Sequence, residues 1–431
     1  MSFAFSACLA ILLALAALGM PIALAMILAA IGYVGFSGQD LSLPAEQMVQ
    51  GLYDNFILLA VPLFIVAADI MNAGSISDRL LKFCVALVGR FRGGLGLVNV
   101  VANIIFAGMS GSAVADAAGL GKVIIDMMRK DGRYPAAYAA AITAAASTIG
   151  PIIPPSIPMV MYSLISGASI GALFLGGILP GLVMGGMLMA MNYYAAKKRG
   201  FGLDEPVPMR ELPKLTVNAF PALLMPAILL YGIYGGVTTP TEAAAIAAFY
   251  ALMLAAFFYR ALSARSLYHV VRGAAMSSAS VGLVIGGALI FNYIVASENI
   301  PAKMAGYIDG LHASPIVFML VVNALVLVLG CLLDASTIIL VIVPLFIPAA
   351  KALGIDLVYF GVIIVVNCMI GLITPPYGIV LFVLNGITGI PLKDMIREVW
   401  IFVAALIAAL LVMIFEPGIV LWLPRLLGYK G

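Results

Sequence analysis

The sequence predicts an all-α, polytopic membrane protein built from two inverted-topology repeats, each with a re-entrant helical hairpin and a helix broken at a Pro-Pro pair. Three observations carry this reading. The 431 residues are 64% hydrophobic and only 10% charged, whereas a soluble domain is roughly 45–50% apolar and about 25% charged. Apolar runs of the roughly 20 residues needed to cross a bilayer recur throughout. One motif, I-G-x-I-x-P-P, occurs twice.

Composition excludes several classes. No soluble core absorbs this apolar excess, and no stretch is long and polar enough for a separate catalytic domain. The net charge of +3 offers no basic surface for nucleic acid. Cys8, Cys84, Cys331 and Cys368 are scattered without a C-x-x-C, so neither a disulfide framework nor a zinc site is expected. No basic region precedes the first apolar run, so that run is expected to remain in the membrane.

Spans are expected near 3–18, 21–36, 55–73, 133–166 (broken), 168–195, 217–234, 241–260, 273–296, 356–388 (broken) and 400–423. The runs 93–129 and 313–351 each carry a polar break at the middle, leaving arms of about 17 residues, short for a full crossing. They read as hairpins that enter and leave on one side. The stretches 77–92 and 259–273 are amphipathic and suit the interface. Glu242, in TTPTEAAA, reads as the opening of a helix.

With hairpins returning to their own side and broken runs crossing once, all but four of the 22 basic residues fall on one face. The exceptions are Lys303, Lys351, Arg425 and Lys430. The basic face is the cytoplasmic one. The first hairpin then enters from the cytoplasm, the second from outside, and both termini lie outside.

The segments YAAAITAAASTIGPIIPP (138–155) and YFGVIIVVNCMIGLITPP (359–376) align at an offset of 221 residues. A hairpin precedes each. Paired, Pro- or Gly-interrupted segments in equivalent places point to the binding site of a secondary transporter. Pro154-Pro155 and Pro375-Pro376 cannot continue a helix, and the carbonyls so freed are tolerated at membrane depth only where they line a cavity or are buried in protein. Such carbonyls with hydroxyls suit a hard cation such as sodium. Ser110 and Ser112, at the first hairpin tip, would share one cage with Gly150 to Pro154. Asp334, Ser336 and Thr337 would share a second with Gly371 to Thr374. Asp334 reads equally as the N-cap of the returning arm. Each returning arm aims its positive end at the tip, which favours an anionic substrate there. Asp116 and Lys122, six apart on the first returning arm, are assigned no role.

A different class also meets the residues. Gly108-Met109-Ser110-Gly111 fits the G-x-S-G of intramembrane serine proteases, with Ser110 as nucleophile. That nucleophile needs a base within hydrogen-bond reach, and neither His269 nor His312 lies in an expected span.

The motifs GMSGSAVADAAGLG (108–121), STIGPIIPPSIPMVMY (147–162), TPTEAAA (239–245), LLDAST (332–337) and GLITPPYGIVLF (371–382) resemble the large membrane subunit of tripartite ATP-independent periplasmic (TRAP) transporters, over essentially the whole chain. The resemblance implies a multi-pass protein of the bacterial inner membrane that is not an enzyme. It implies symport of sodium with a small carboxylate by an elevator motion, as in the wider ion transporter superfamily. It also implies two partners, a small four-helix membrane subunit and a periplasmic substrate-binding protein. By position, Ser110, Ser112, Gly150, Ile153 and Pro154 fall at one sodium site, and Gly330, Asp334, Gly371 and Thr374 at the other. Gly111, Ser112, Pro155, Ser156, Ala335, Ser336, Thr337 and Pro376 fall at the substrate. The expected division is scaffold at 1–74, an interfacial arm at 75–92, the first transport repeat at 93–167, and scaffold with a cytoplasmic loop (197–216) at 168–261. A second arm at 262–272, a helix and linker at 273–312, the second repeat at 313–390 and a C-terminal helix at 391–431 complete it. The related stand-alone sodium/dicarboxylate symporters share the hairpin architecture, but their Ser-Asn-Thr tips are absent here.

Overall fold

The computed structural model describes residues 2–73, 76–201, 208–310 and 314–431. Residue 75 of the first arm, part of the 197–216 loop and His312 lie outside the described residues. Those described are helical, with no strand among them. Six helices are long and apolar enough to cross a bilayer, and the hairpin and broken-helix segments are shorter.

The N-terminal part comprises α1 (Phe3–Ala17), α2 (Ile22–Ser37), α3 (Leu43–Asp54), α4 (Ala60–Ala73), which follows the turn Phe56–Leu59, and α5 (Ile76–Val88). α5 is the amphipathic arm. The first hairpin is α6 (Gly94–Ser110) and a returning arm of α7 (Ala113–Asp116), a π-helical turn (Ala117–Gly121) and α8 (Lys122–Arg129). The first broken helix is α9 (Ala136–Ser147) and α10 (Ile157–Ser166). The 30-residue α11 (Ile170–Arg199), α12 (Leu212–Tyr234) and α13 (Pro240–Met253) follow. Thr239 and Glu242 form the capping box that opens α13.

α14 (Ala264–Ser297) runs unbroken for 34 residues, so the expected arm at 262–272 and the span after it are one helix. No proline interrupts them, and the polar turns merely carry the helix out of the apolar region. α15 (Ile300–Gly310) leads to the second hairpin. This is α16 (Pro315–Gly330) and a returning arm of α17 (Ala335–Thr337), a π-helical turn (Ile338–Ile342), a 3-10 turn (Val343–Leu345) and α18 (Ile347–Ala352). The second broken helix is α19 (Leu357–Gly371) and α20 (Ile379–Thr388). The expected span at 400–423 is instead α21 (Leu392–Phe415), which starts after Pro391, and α22 (Gly418–Leu426), which starts after Pro417.

The repeat is visible in the backbone. At offsets of 221 or 222 residues α9 begins where α19 begins, α10 coincides with α20, and the two π-helical turns coincide. Both Pro-Pro peptides are cis.

Two groups of helices pack mainly among themselves. α1 to α4 pack with α13 and α14, and α12 joins them through α5 and α13. The hairpins and broken helices pack around α11, α21 and α22. α9 and α19 are the central posts, buried from Tyr138 to Ser147 and from Val358 to Gly371, which is why their sequences are apolar all round. α11 accepts its neighbours through glycines: a Cβ on Gly177 would lie 2.1 Å from the Ile152 carbonyl oxygen, and one on Gly181 2.4 Å from Ile153. Small residues permit such close backbone approach.

Candidate functional site

The first tip turns at Gly111, whose φ of +61° is the left-handed conformation glycine adopts freely. It also presses on the break, since a Cβ there would stand 2.6 Å from the Pro155 carbonyl oxygen. Ser110, the last residue of α6, is buried. Ser112 caps α7, its Oγ accepting from the Ala115 amide at 3.4 Å. In the break, Ser156 caps α10 by accepting from the Met159 amide at 3.2 Å and donates to the Pro151 carbonyl.

In the second half, Gly330 at the end of α16 meets Gly371 at the end of α19 so closely that a Cβ on Gly371 would lie 2.7 Å from the Gly330 Cα. Asp334 caps α17, accepting from the Thr337 amide at 3.1 Å and from its hydroxyl at 2.5 Å. The expected capping role of Asp334 is therefore present. Thr374 is buried, and its hydroxyl donates to the Ile370 carbonyl at 2.7 Å.

Both tips open on one cavity of about 280 Å³. Gly111 and Ser112 line it from the first tip, Asp334, Ala335 and Ser336 from the second, and Val281 of α14 closes it from the other helix group. The breaks contribute Ile157 and Ile379. Four helices therefore begin at its wall: α7, α10, α17 and α20. Four others end beside the tips and breaks: α6, α9, α16 and α19. Partial positive ends thus gather at the cavity, and partial negative ends with free carbonyls gather at the two expected cation cages.

Not every expected residue reaches the cavity. Pro155, Ser156, Thr337 and Pro376 do not line it. Ser156 and Thr337 are buried with their hydroxyls engaged, and Pro376 is exposed. Met161, Met369 and Val281 line it without having been foreseen. Methionines in so apolar a chain carry no signal, and Val281 arrives from a helix distant in sequence. A larger cavity of about 670 Å³ contains none of the tip residues.

The halves differ in what covers their returning arms. Ala118, Gly119, Lys122 and Val123 of the first are exposed, whereas Ile339, Leu340 and Val343, at the equivalent positions of the second, are buried. The second arm packs on α14 and α15, while the first packs on α6, α9 and α20. A crevice of about 350 Å³ lies between Gly119 and Val123 on one side and Asn72, Ser77 and Asp78 on the other.

No serine-protease constellation accompanies Ser110. His269 is exposed and in edge contact with Tyr268. The described residues hold no group of three or more His, Cys, Asp or Glu suited to a resident metal.

Paired discontinuous helices around a central cavity define a membrane transporter rather than an enzyme. Residues 9–419 match the model of the tripartite ATP-independent periplasmic transporter, DctM component. The chain is 40% identical over 413 residues to the sialic acid TRAP transporter large permease protein SiaM of Vibrio cholerae, covering 95% of this chain and 96% of that one. It is 37% identical over 406 residues to the 2,3-diketo-L-gulonate TRAP transporter large permease protein YiaN of Escherichia coli, covering 94% and 95%. The chain belongs to the DctM family of TRAP transporter large permeases, multi-pass proteins of the bacterial inner membrane. A solved structure, that of the Alcanivorax borkumensis YdaH transporter, matches with a TM-score of 0.66 over 86% of this chain and 87% of that one at 15% identity, a likeness of fold alone.

Proposed function

We propose that this chain carries a small organic acid inward across the membrane, coupled to sodium, after a periplasmic binding protein delivers it. The observation that carries the reading is the convergence of four helix N-termini on one cavity between two sets of helix C-termini. N-termini favour a carboxylate, and C-terminal carbonyls favour a cation. Both fit the donor atoms present. Ser110 and Ser112 with Gly150, Ile153 and Pro154 would hold one sodium ion, and Gly330, Asp334, Gly371 and Thr374 the other. Bound sodium would offset the charge of Asp334, which otherwise faces an anionic substrate. The family's ATP-independent character leaves an ion gradient as the natural driving force. Sialic acid and 2,3-diketo-L-gulonate, named for the relatives, are both carboxylates and the first candidates.

The packing supports an elevator. The hairpins, broken helices, α11, α21 and α22 form one body, and α1 to α5 with α12 to α15 form its frame. This moves α11, within the expected scaffold at 168–261, to the moving side. The exposed first returning arm supports a state open towards the cytoplasm. The tripartite description supports a small membrane subunit and a binding protein as separate partners.

Uptake into proteoliposomes tests this. The chain, its small subunit and a binding protein loaded with sialic acid should import only under an inward sodium gradient. Sodium-driven uptake without the binding protein would instead indicate a stand-alone symporter, and uptake indifferent to sodium would reject the coupling.

A further inference from the structure

Asp116 is 2% exposed, and neither of its carboxylate oxygens has a hydrogen-bond partner. An ionised carboxylate taken from water without a partner is among the least favourable arrangements in an interior. Its surroundings add to the difficulty. A Cβ on Gly150 would stand 2.2 Å from Oδ2 and 3.2 Å from the Ser147 carbonyl oxygen, so the carboxylate lies against the C-terminal end of α9. Ser110, which ends α6, is close enough to interact. Two negative helix ends therefore face a negative group. Lys122, six residues along the arm, is exposed and lies about 240° round a regular helix from Asp116. What gathers here is a carboxylate, a hydroxyl and backbone carbonyls, the donor set of a hard cation.

Comparison of the halves sharpens the point. Asp116 stands 221 residues before Thr337, and the caps of the two returning arms are Ser112 and Asp334. Each arm begins with one carboxylate and one hydroxyl, in opposite order. In the second half the two meet, Thr337 donating to Asp334. In the first, the Ser112 hydroxyl accepts from the Ala115 amide, and Asp116 is left without a hydrogen-bond partner.

We infer that the Asp116 carboxylate is a ligand of the first sodium site and supplies its negative charge. The inference rests on the sodium coupling proposed above. It also explains Gly150: any side chain there would occupy the place of the carboxylate.

The test is sodium binding by the full chain in lipid nanodiscs, read by radioactive sodium and by thermal melting in sodium against choline. The wild type should bind two ions and melt higher in sodium. Asp116→Asn should bind one fewer, lose about half of the sodium-induced rise, and melt in choline no lower than the wild type, because an amide replaces an unpaired charge. Gly150→Ala, which keeps the carboxylate but displaces it, should also bind one fewer. Asp116→Asn with full sodium stoichiometry, or failing to fold in choline, would overturn the inference and make Asp116 a structural group. A wild type indifferent to sodium would remove the coupling itself and this inference with it.

Discussion

Gly330 and Gly371 meet backbone to backbone, with no room for a methyl group between the end of α16 and the end of α19: a Cβ on Gly371 would lie 2.9 Å from the Gly330 carbonyl oxygen. That contact sets the width of the second cation cage. Gly371→Ala should force the helices apart, at the roughly 1–3 kcal/mol typical of overpacking, and should weaken stabilisation by sodium. Gly386→Ala, where nothing lies within 4 Å, is the control. Thermal melting of both variants with and without sodium checks the contrast, and equal effects would contradict it.

Asn192 should be a structural tie of the moving body. It is fully buried on α11, donates to the Gly93 carbonyl at 3.0 Å and accepts from the Tyr138 hydroxyl at 2.9 Å. Asn192→Leu leaves that hydroxyl unpaired, at about 1–3 kcal/mol. Adding Tyr138→Phe should then cost little more, although Tyr138→Phe alone should be destabilising. A double-mutant cycle on unfolding measures the coupling, and strict additivity would refute the tie.

Ser112 and Ser156 both cap helices, but only Ser112 lines the central cavity. Ser156→Ala should lower the melting temperature through the loss of about 1 kcal/mol of capping and leave the KM for the acid unchanged. Ser112→Ala should raise KM roughly 10- to 100-fold, the loss of a 1.5–3 kcal/mol hydrogen bond to a charged group. Sodium-driven uptake by the two variants separates them, and a KM effect confined to Ser156 would reverse the assignment.

The difference between the returning arms is open to labelling. Ala118→Cys and Ile339→Cys occupy equivalent positions, the first exposed and the second buried. In a background without native cysteines, a maleimide should modify the first at least tenfold faster. Comparable rates would show that the structure is not open on the first hairpin's side.

Much of this architecture was legible because it rests on local chemistry. Pro154-Pro155 and Pro375-Pro376 announce the breaks, Gly111 the first turn, Asp334 its cap, and Thr239 with Glu242 the start of α13. Hydropathy divided α14 at residue 273, but helix continuity depends on backbone hydrogen bonds, which continue through polar turns. It also merged α21 with α22, although Pro417 ends the run. The allegiance of α11 was hidden, since an apolar helix with glycines at 177, 181 and 185 reads equally well as scaffold. The isolation of Asp116 was hidden too, because whether Lys122 or the end of α9 faces it is decided by packing.

The central claim is one anion cavity between two cation cages, and a cryo-EM map tests it most directly. The complex would be prepared in sodium with sialic acid, and again in choline without it. The account predicts two sodium-dependent peaks, one beside Ser110, Asp116 and Gly150 and one between Gly330 and Gly371, with the carboxylate of the acid among the starts of α7, α10, α17 and α20. Substrate density elsewhere, or cages unchanged between sodium and choline, would contradict it.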